Sequence, residues 1–84
     1  MKLYPIFASL SQRAVLVIGG GAVAERKVAA LLDAQAQVTV NALTLTPTLQ
    51  RWARQVRIAH RADAFREDWL NRVWLVVAAT SDRD

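Results

Sequence analysis

The sequence contains no cysteine and only one histidine. A disulfide framework is therefore excluded, and so is a structural zinc site, which needs a tetrahedral set of cysteine and histidine ligands. With 84 residues the chain forms one domain at most, and a domain of this size buries only about 60–65% of the surface that its unfolded chain exposes. The absence of cysteine fits a reducing compartment, so we expect the protein in the cytoplasm.

Long apolar runs and concentrated charge are also absent. No run approaches the roughly 18–20 residues that a membrane-spanning helix needs, and the apolar stretch near the N-terminus is too short and broken for a signal peptide. We therefore expect no membrane partner. Lys and Arg outnumber Asp and Glu by 11 to 7, a net charge of +4, but the arginines are scattered. This weak field favours small anionic ligands, and no nucleic-acid partner is expected.

Glycine is scarce, yet all three glycines are adjacent, at positions 19–21. They follow an unbroken apolar run, Ala14 to Ile18, whose shortness and β-branched residues predict a parallel-sheet strand covered on both faces. From Ala22 to Ala34 apolar side chains recur at helical spacing, so one face of a helix should pack on the sheet. A second strand is predicted at Gln37 to Asn41, which makes the first half of the chain a βαβ unit with a right-handed crossover.

The second half of the chain continues this alternation. Thr46 and Pro47 predict the N-cap and first turn of a helix that runs to about Gln55. A third strand is expected at Val56 to His60, and a short helical turn or loop at residues 63–71.

The apolar run Val73 to Ala79 predicts a last strand. The polar residues 80–82 that follow it suit the cap of another helix. The predicted fold class is therefore α/β, a Rossmann-type doubly wound parallel sheet that is truncated after its fourth strand.

The glycine run matches the dinucleotide-binding pattern G-x-G-x-x-G/A between Gly19 and Ala24. Gly19 permits a tight turn out of the strand, Gly21 allows a pyrophosphate to approach the backbone, and Ala24 lets the helix lie close to the sheet. The first amides of the helix and its dipole then favour phosphate. A plain structural turn fits the pattern too, but its place between a buried strand and an amphipathic helix favours a dinucleotide site. A P-loop is excluded, because Lys27 lacks the required glycine spacing and a following Ser or Thr.

The residue at the end of the second strand leaves the choice of dinucleotide open. An acidic residue usually binds the adenosine ribose there, and this chain has Asn41. An amide can bond to a hydroxyl but carries no charge to exclude the 2′-phosphate of NADP, and Asn41 is also compatible with an ordinary loop residue. His60 is more typical of a solvated or structural residue than of a base, and Asp82 and Asp84 favour a helix cap over a metal site. No metal ligand is predicted.

Four stretches, at residues 4–7, 17–27, 38–44 and 74–82, resemble the N-terminal domain of siroheme synthase, the family of precorrin-2 dehydrogenases and sirohydrochlorin ferrochelatases. The run from the three glycines through Ala24-Glu25-Arg26-Lys27 is far more specific than the bare glycine pattern. The resemblance implies NAD-dependent oxidation of precorrin-2 to sirohydrochlorin, followed by insertion of ferrous iron to give sirohaem. It thus implies NAD as cofactor, a tetrapyrrole and ferrous iron as substrates, and an intertwined homodimer. The polycarboxylate tetrapyrrole agrees with the basic net charge.

The glycine pattern and the end of the second strand already give Gly19, Gly20, Gly21 and Asn41 as expected cofactor contacts. To these the resemblance adds Ala22 and Val23 at the helix start, Leu43 and Thr44 beyond the second strand, and Ala79 and Thr80 on the nicotinamide side. The carboxylate that the family is thought to use as general base falls beyond Asp84, so no catalytic residue is expected in this chain. Residues 1–84 are then the N-terminal part of an NAD-binding Rossmann domain, without the dimerisation region and later domains, and this fragment alone could bind NAD without catalysis.

Two further points accompany the resemblance. Relatives often have glycine in place of Gln35, at a position that tends to be left-handed. Two outcomes are open: a side chain there costs about 1 kcal/mol, or the turn has a different conformation. The same fold also serves nucleotide-sensing modules that regulate a partner without chemistry, and this alternative function stays open.

Overall fold

The computed structural model describes residues 11–62 and 73–79. In chain order, these residues form β1 (Ala14–Ile18), α1 (Ala22–Asp33), β2 (Gln37–Asn41), α2 (Pro47–Arg54), β3 (Ala59–Arg61) and β4 (Leu75–Ala78). The strands lie in the order β3-β2-β1-β4, and every neighbouring pair is parallel. The predicted α/β fold with a Rossmann-type parallel sheet is confirmed. The predictions for residues 4–7, 63–71 and 80–84 fall outside the described residues.

The central strand β1 is buried on both faces, as its apolar run predicts. Val15 and Val17 point to one face, where they join the core with the buried side of α1, and neither is more than 1% exposed. Leu16 points to the opposite face because side chains alternate along a strand, and it is also 1% exposed. On α1 the buried residues are Ala24, Val28 and Leu31, which repeat at helical spacing.

Helix α1 ends one residue earlier than predicted, in a Schellman motif. The Gln35 N–H donates to the Leu32 carbonyl at 2.9 Å, and the Ala36 N–H donates to the Leu31 carbonyl at 3.0 Å. This closure requires a left-handed residue directly after the cap, and Gln35 has φ 66°. The expected left-handed conformation of Gln35 is therefore confirmed.

Helix α2 begins as predicted. Thr46 is the N-cap, and its hydroxyl oxygen accepts a hydrogen bond from the Leu49 N–H at 3.1 Å. Pro47 occupies the first turn, where its missing N–H costs no intrahelical bond. Leu49 then enters the core with no exposed surface.

The end of α2 corrects the prediction for the third strand. Val56 has φ 61° and its N–H donates to the Ala53 carbonyl at 3.0 Å, while the Arg57 N–H donates to the Trp52 carbonyl at 2.9 Å. These bonds form a second Schellman motif, so the backbone at Val56 and Arg57 closes a helix and cannot also pair in a sheet. A strand starting at Val56 is therefore wrong, and β3 begins at Ala59.

Strand β4 is also shorter than the apolar run that predicts it. The run extends over residues 73–79, whereas β4 comprises Leu75–Ala78. Its flanking residues still bond to β1: the Trp74 N–H donates to the Ala14 carbonyl at 2.7 Å, and the Ala79 N–H donates to the Ile18 carbonyl at 2.9 Å. The predicted strand is thus present, with shorter ends.

Candidate dinucleotide-binding site

The carboxyl ends of three neighbouring strands meet at one level of the sheet. Ile18 is in register with Asn41 on one side and with Ala78 on the other. The Gly19 N–H continues the pairing by donating to the Asn41 carbonyl at 2.9 Å. In open parallel sheets, ligands bind in the crevice outside these carboxyl ends. The glycine turn, the loop after β2 and the residue after β4 therefore lie where a ligand is expected.

Gly19 makes the turn out of β1. Its φ is 129°, a conformation that residues with a Cβ rarely adopt. The sequence argument assigns it the tight turn between strand and helix, and the backbone angle agrees with that role.

Gly20 has a role that the glycine pattern leaves undefined. A Cβ on Gly20 would overlap the Thr44 carbonyl oxygen and would lie 2.8 Å from the Ala42 Cβ. The loop after β2 thus packs directly on the turn, and the Thr46 N–H donates to the Gly20 carbonyl at 3.0 Å. Only a residue without a side chain allows this approach. Sequence reasoning missed this role because the contact joins segments more than twenty residues apart along the chain.

Gly21 faces open space. It is the N-cap of α1, it is exposed, and a Cβ built on it meets no atom of the described residues within 4 Å. No side chain in this part of the protein caps this end of the helix, so the first-turn amides, including those of Ala22 and Val23, are available to a ligand together with the positive end of the helix dipole. A diphosphate fits here because it needs close backbone approach and N–H donors.

The loop after β2 presents two exposed residues beside the turn. Leu43 is 83% exposed and Thr44 is also exposed. Asn41, by contrast, is 7% exposed, and its Nδ2 donates to the Arg61 carbonyl at 3.1 Å. This bond ties the end of β2 to the end of β3, a structural role besides the contact with a ribose that the sequence predicts for it.

Ala79 and His60, which the sequence analysis also considered, lie at the same edge. Ala79 is 2% exposed and is held by its N–H bond to the Ile18 carbonyl; Thr80 lies outside the described residues. His60 is exposed, and its Nε2 lies 2.8 Å from the Ala42 carbonyl oxygen. Since a carbonyl can only accept, Nε2 donates there and fixes the loop after β2. This bond supports the interpretation of His60 as a structural residue.

Within residues 11–62 and 73–79, no group of three or more His, Cys, Asp and Glu side chains is arranged to hold a metal ion. No helix in this part of the chain is long and apolar enough to cross a membrane. The described site thus consists of backbone amides, small residues and an exposed loop, and a dinucleotide is the ligand class that this combination fits.

A family model described as "Putative NAD(P)-binding" matches residues 6–84. The chain belongs to this NAD(P)-binding family. The prediction of a nicotinamide dinucleotide cofactor, NAD, is confirmed by this match and by the similarity to a solved dehydrogenase given below.

Curated relatives confirm the resemblance to siroheme synthases. A siroheme synthase of Xylella fastidiosa is 53% identical over 79 residues, which are 93% of this chain and 17% of the relative. Siroheme synthase 1 of Klebsiella pneumoniae is 51% identical over 82 residues, 98% of this chain and again 17% of the relative. The chain thus spans only about a sixth of the length of these proteins.

A solved structure shares the fold. The protein named "SirC, precorrin-2 dehydrogenase" superimposes with a TM-score of 0.79 at 33% sequence identity, covering 87% of this chain and 37% of that chain. The similarity supports the parallel-sheet fold and the placement of the chain among dinucleotide-binding domains.

Proposed function

We propose that this chain is the NAD-binding part of an enzyme that oxidises precorrin-2 to sirohydrochlorin. The observation that carries the proposal is the open, uncapped start of α1 at Gly21, set beside the carboxyl ends of β1, β2 and β4. The names of the similar proteins, siroheme synthase and precorrin-2 dehydrogenase, supply the reaction.

The residues at this edge divide the cofactor among them. The backbone at Gly19 to Gly21 and the first amides of α1, at Ala22 and Val23, would hold the diphosphate. Leu43 and Thr44 would hold the adenosine, with Asn41 near its ribose. Ala79, together with Thr80 as the resemblance implies, would line the nicotinamide side. When bound, the nicotinamide supplies the chemistry of a hydride acceptor.

The contribution of this chain to catalysis is binding and orientation. The oxidation removes a hydride from a reduced carbon of the tetrapyrrole and a proton from another atom of the same substrate, so that a new double bond forms. Holding two reactants in a fixed geometry lowers the entropic part of the barrier. The proposal assigns no residue of this chain to the removal of the proton.

Further parts of the proposal rest on the resemblance to the siroheme synthase family. They are a tetrapyrrole as substrate, insertion of ferrous iron as a second reaction, and a homodimer. We also propose a cytoplasmic location, which the absence of cysteine supports. Iron enters this account as a substrate.

The proposal is tested by replacing Gly21 with Asp. NAD stabilises a protein that binds it only when folded, so it should raise the melting temperature of the unmodified chain. Gly21→Asp should abolish this rise, because the new carboxylate would lie where the diphosphate approaches the backbone. The measurement is thermal unfolding with and without excess NAD. Ser11→Asp, an exposed change in a turn before β1, is the control and should keep the full rise.

An unchanged NAD-induced rise in Gly21→Asp would refute the site assignment. Absence of any rise in the unmodified chain would count against the binding function itself. The same measurement with NADP shows whether the chain prefers NAD or NADP, a choice that the uncharged Asn41 at the end of β2 leaves open.

A further inference from the structure

A groove of about 490 Å³ lies between α1 and β4, on the side of the helix away from β2. The described residues that line it are Val23, Arg26, Lys27, Ala30, Leu31 and Val77. Val23, at the N-terminal end of α1, is the one described residue that this groove shares with the glycine-turn site.

The helical repeat explains the composition of the groove. Val23, Arg26 and Ala30 are spaced three and four residues apart, so they lie along one face of α1. That face is turned away from the stripe of Ala24 and Val28, which packs on the sheet. The groove therefore has apolar walls and cationic side chains along one side.

The two cations of the groove have no partner in the described part of the chain. Arg26 and Lys27 are exposed, and neither forms an ion pair or a side-chain hydrogen bond with residues 11–62 or 73–79. The acidic residues of the same helix, Glu25 and Asp33, do not line the groove. Two cations that have no partner among the described residues, beside apolar walls, favour a ligand that is apolar in its body and anionic at its edge.

The groove also adjoins the proposed position of the nicotinamide. Val23 belongs to the first turn of α1, which would hold the diphosphate. Val77 lies in β4 and precedes by two residues Ala79, which would line the nicotinamide side. A ligand in the groove would therefore be placed against the reactive end of the cofactor.

We propose that this groove holds the tetrapyrrole substrate by its edge, with Arg26 and Lys27 binding its carboxylates and Val23, Ala30 and Val77 contacting its apolar part. The inference rests on the proposed function for the identity of the substrate. It adds two specificity-determining residues that the glycine pattern does not assign.

The test is a titration of the full chain with uroporphyrin, a stable porphyrin polycarboxylate, in the presence of saturating NAD. Binding is measured by the quenching of tryptophan fluorescence. Arg26→Gln combined with Lys27→Gln should weaken binding about tenfold, since two charge-assisted contacts are lost at an exposed site. Arg51→Gln, which removes an exposed cation from α2 outside the groove, should change the affinity less than about twofold.

A second variant fills the groove without removing a cation. Ala30 is exposed and both Ala and Glu favour helices, so Ala30→Glu should fold and should abolish uroporphyrin binding. Equal affinities in the unmodified chain, the double variant and Ala30→Glu would overturn the inference, as would equal weakening by Arg51→Gln. Absence of uroporphyrin binding to a chain that NAD does stabilise would overturn it while leaving the proposed function intact. A chain that NAD does not stabilise would instead refute the proposed function.

Discussion

At the scale of single residues, the three adjacent glycines have different structural roles because their surroundings differ. Gly19 is required by its backbone angle and Gly20 by the loop that packs on it, whereas a Cβ on Gly21 would meet no described atom within 4 Å. In the proposed function this open space at Gly21 receives the diphosphate, so only the third glycine concerns the cofactor.

These different roles predict different results for two alanine substitutions, one on the stability of the fold and the other on NAD binding. Gly20→Ala should destabilise the fold by about 1–3 kcal/mol, because its methyl group would overlap the Thr44 carbonyl oxygen and the backbone would have to move. Gly21→Ala meets no atom within 4 Å and should cost about 1 kcal/mol or less, as a poorer helix cap. It should nevertheless weaken NAD binding. Thermal unfolding with and without NAD measures both effects.

Equal stabilities of the two variants would contradict the assignment of Gly20 to loop packing. A Gly21→Ala chain that binds NAD as tightly as the unmodified chain would show that the diphosphate does not approach this position.

At the scale of secondary structure, both described helices end in Schellman motifs whose left-handed residue is not glycine. Gln35 closes α1 and Val56 closes α2. Val56 is the more costly of the two, because a β-branched side chain is poorly tolerated in the left-handed region. It is also 86% exposed, so its side chain contributes little packing in return.

We therefore expect Val56→Gly to stabilise the chain by about 1 kcal/mol, the relief of the left-handed strain being larger than the added entropy of the unfolded glycine. For a domain of this size the gain corresponds to a rise in melting temperature of about 4–8 °C. Gln35→Gly should change stability in the same direction. Val56→Ala keeps a Cβ at the same backbone angle and should gain much less. A lower melting temperature for Val56→Gly than for Val56→Ala would contradict this account.

The same motif explains which parts of the fold could be predicted. The first βαβ unit follows from local signals: an apolar run, a glycine turn and a helical repeat. The start of the third strand could not be predicted, because Val56 and Ile58 have strand-like side chains while the backbone at Val56 closes α2. The role of Gly20 was equally hidden, since it depends on a loop contact from beyond β2. The open Gly21, in contrast, lies where the pattern places it.

At the scale of the whole molecule, stability and cofactor binding are linked. A domain with about 0.05–0.15 kcal/mol of stability per residue has a narrow margin at 84 residues. Its central strand carries much of the core, and Leu16 is 1% exposed on the face opposite the two described helices. Leu16→Ala should lower the free energy of unfolding by about 2–5 kcal/mol. In a domain whose stability per residue is near the lower end of that range, this loss is enough to populate unfolded chains.

NAD should restore part of this loss. A ligand that binds only the folded state adds about 2.7 kcal/mol at a hundred times its dissociation constant, so excess NAD should refold much of the Leu16→Ala population. Circular dichroism at fixed temperature follows the change. Val76→Ala, next to Leu16 in the register but 37% exposed, should lose less stability. Gly21→Asp added to Leu16→Ala should abolish the recovery, because NAD then no longer binds the folded state and cannot shift the equilibrium towards it. Recovery that persisted in this double variant would place the stabilising NAD site elsewhere on the molecule.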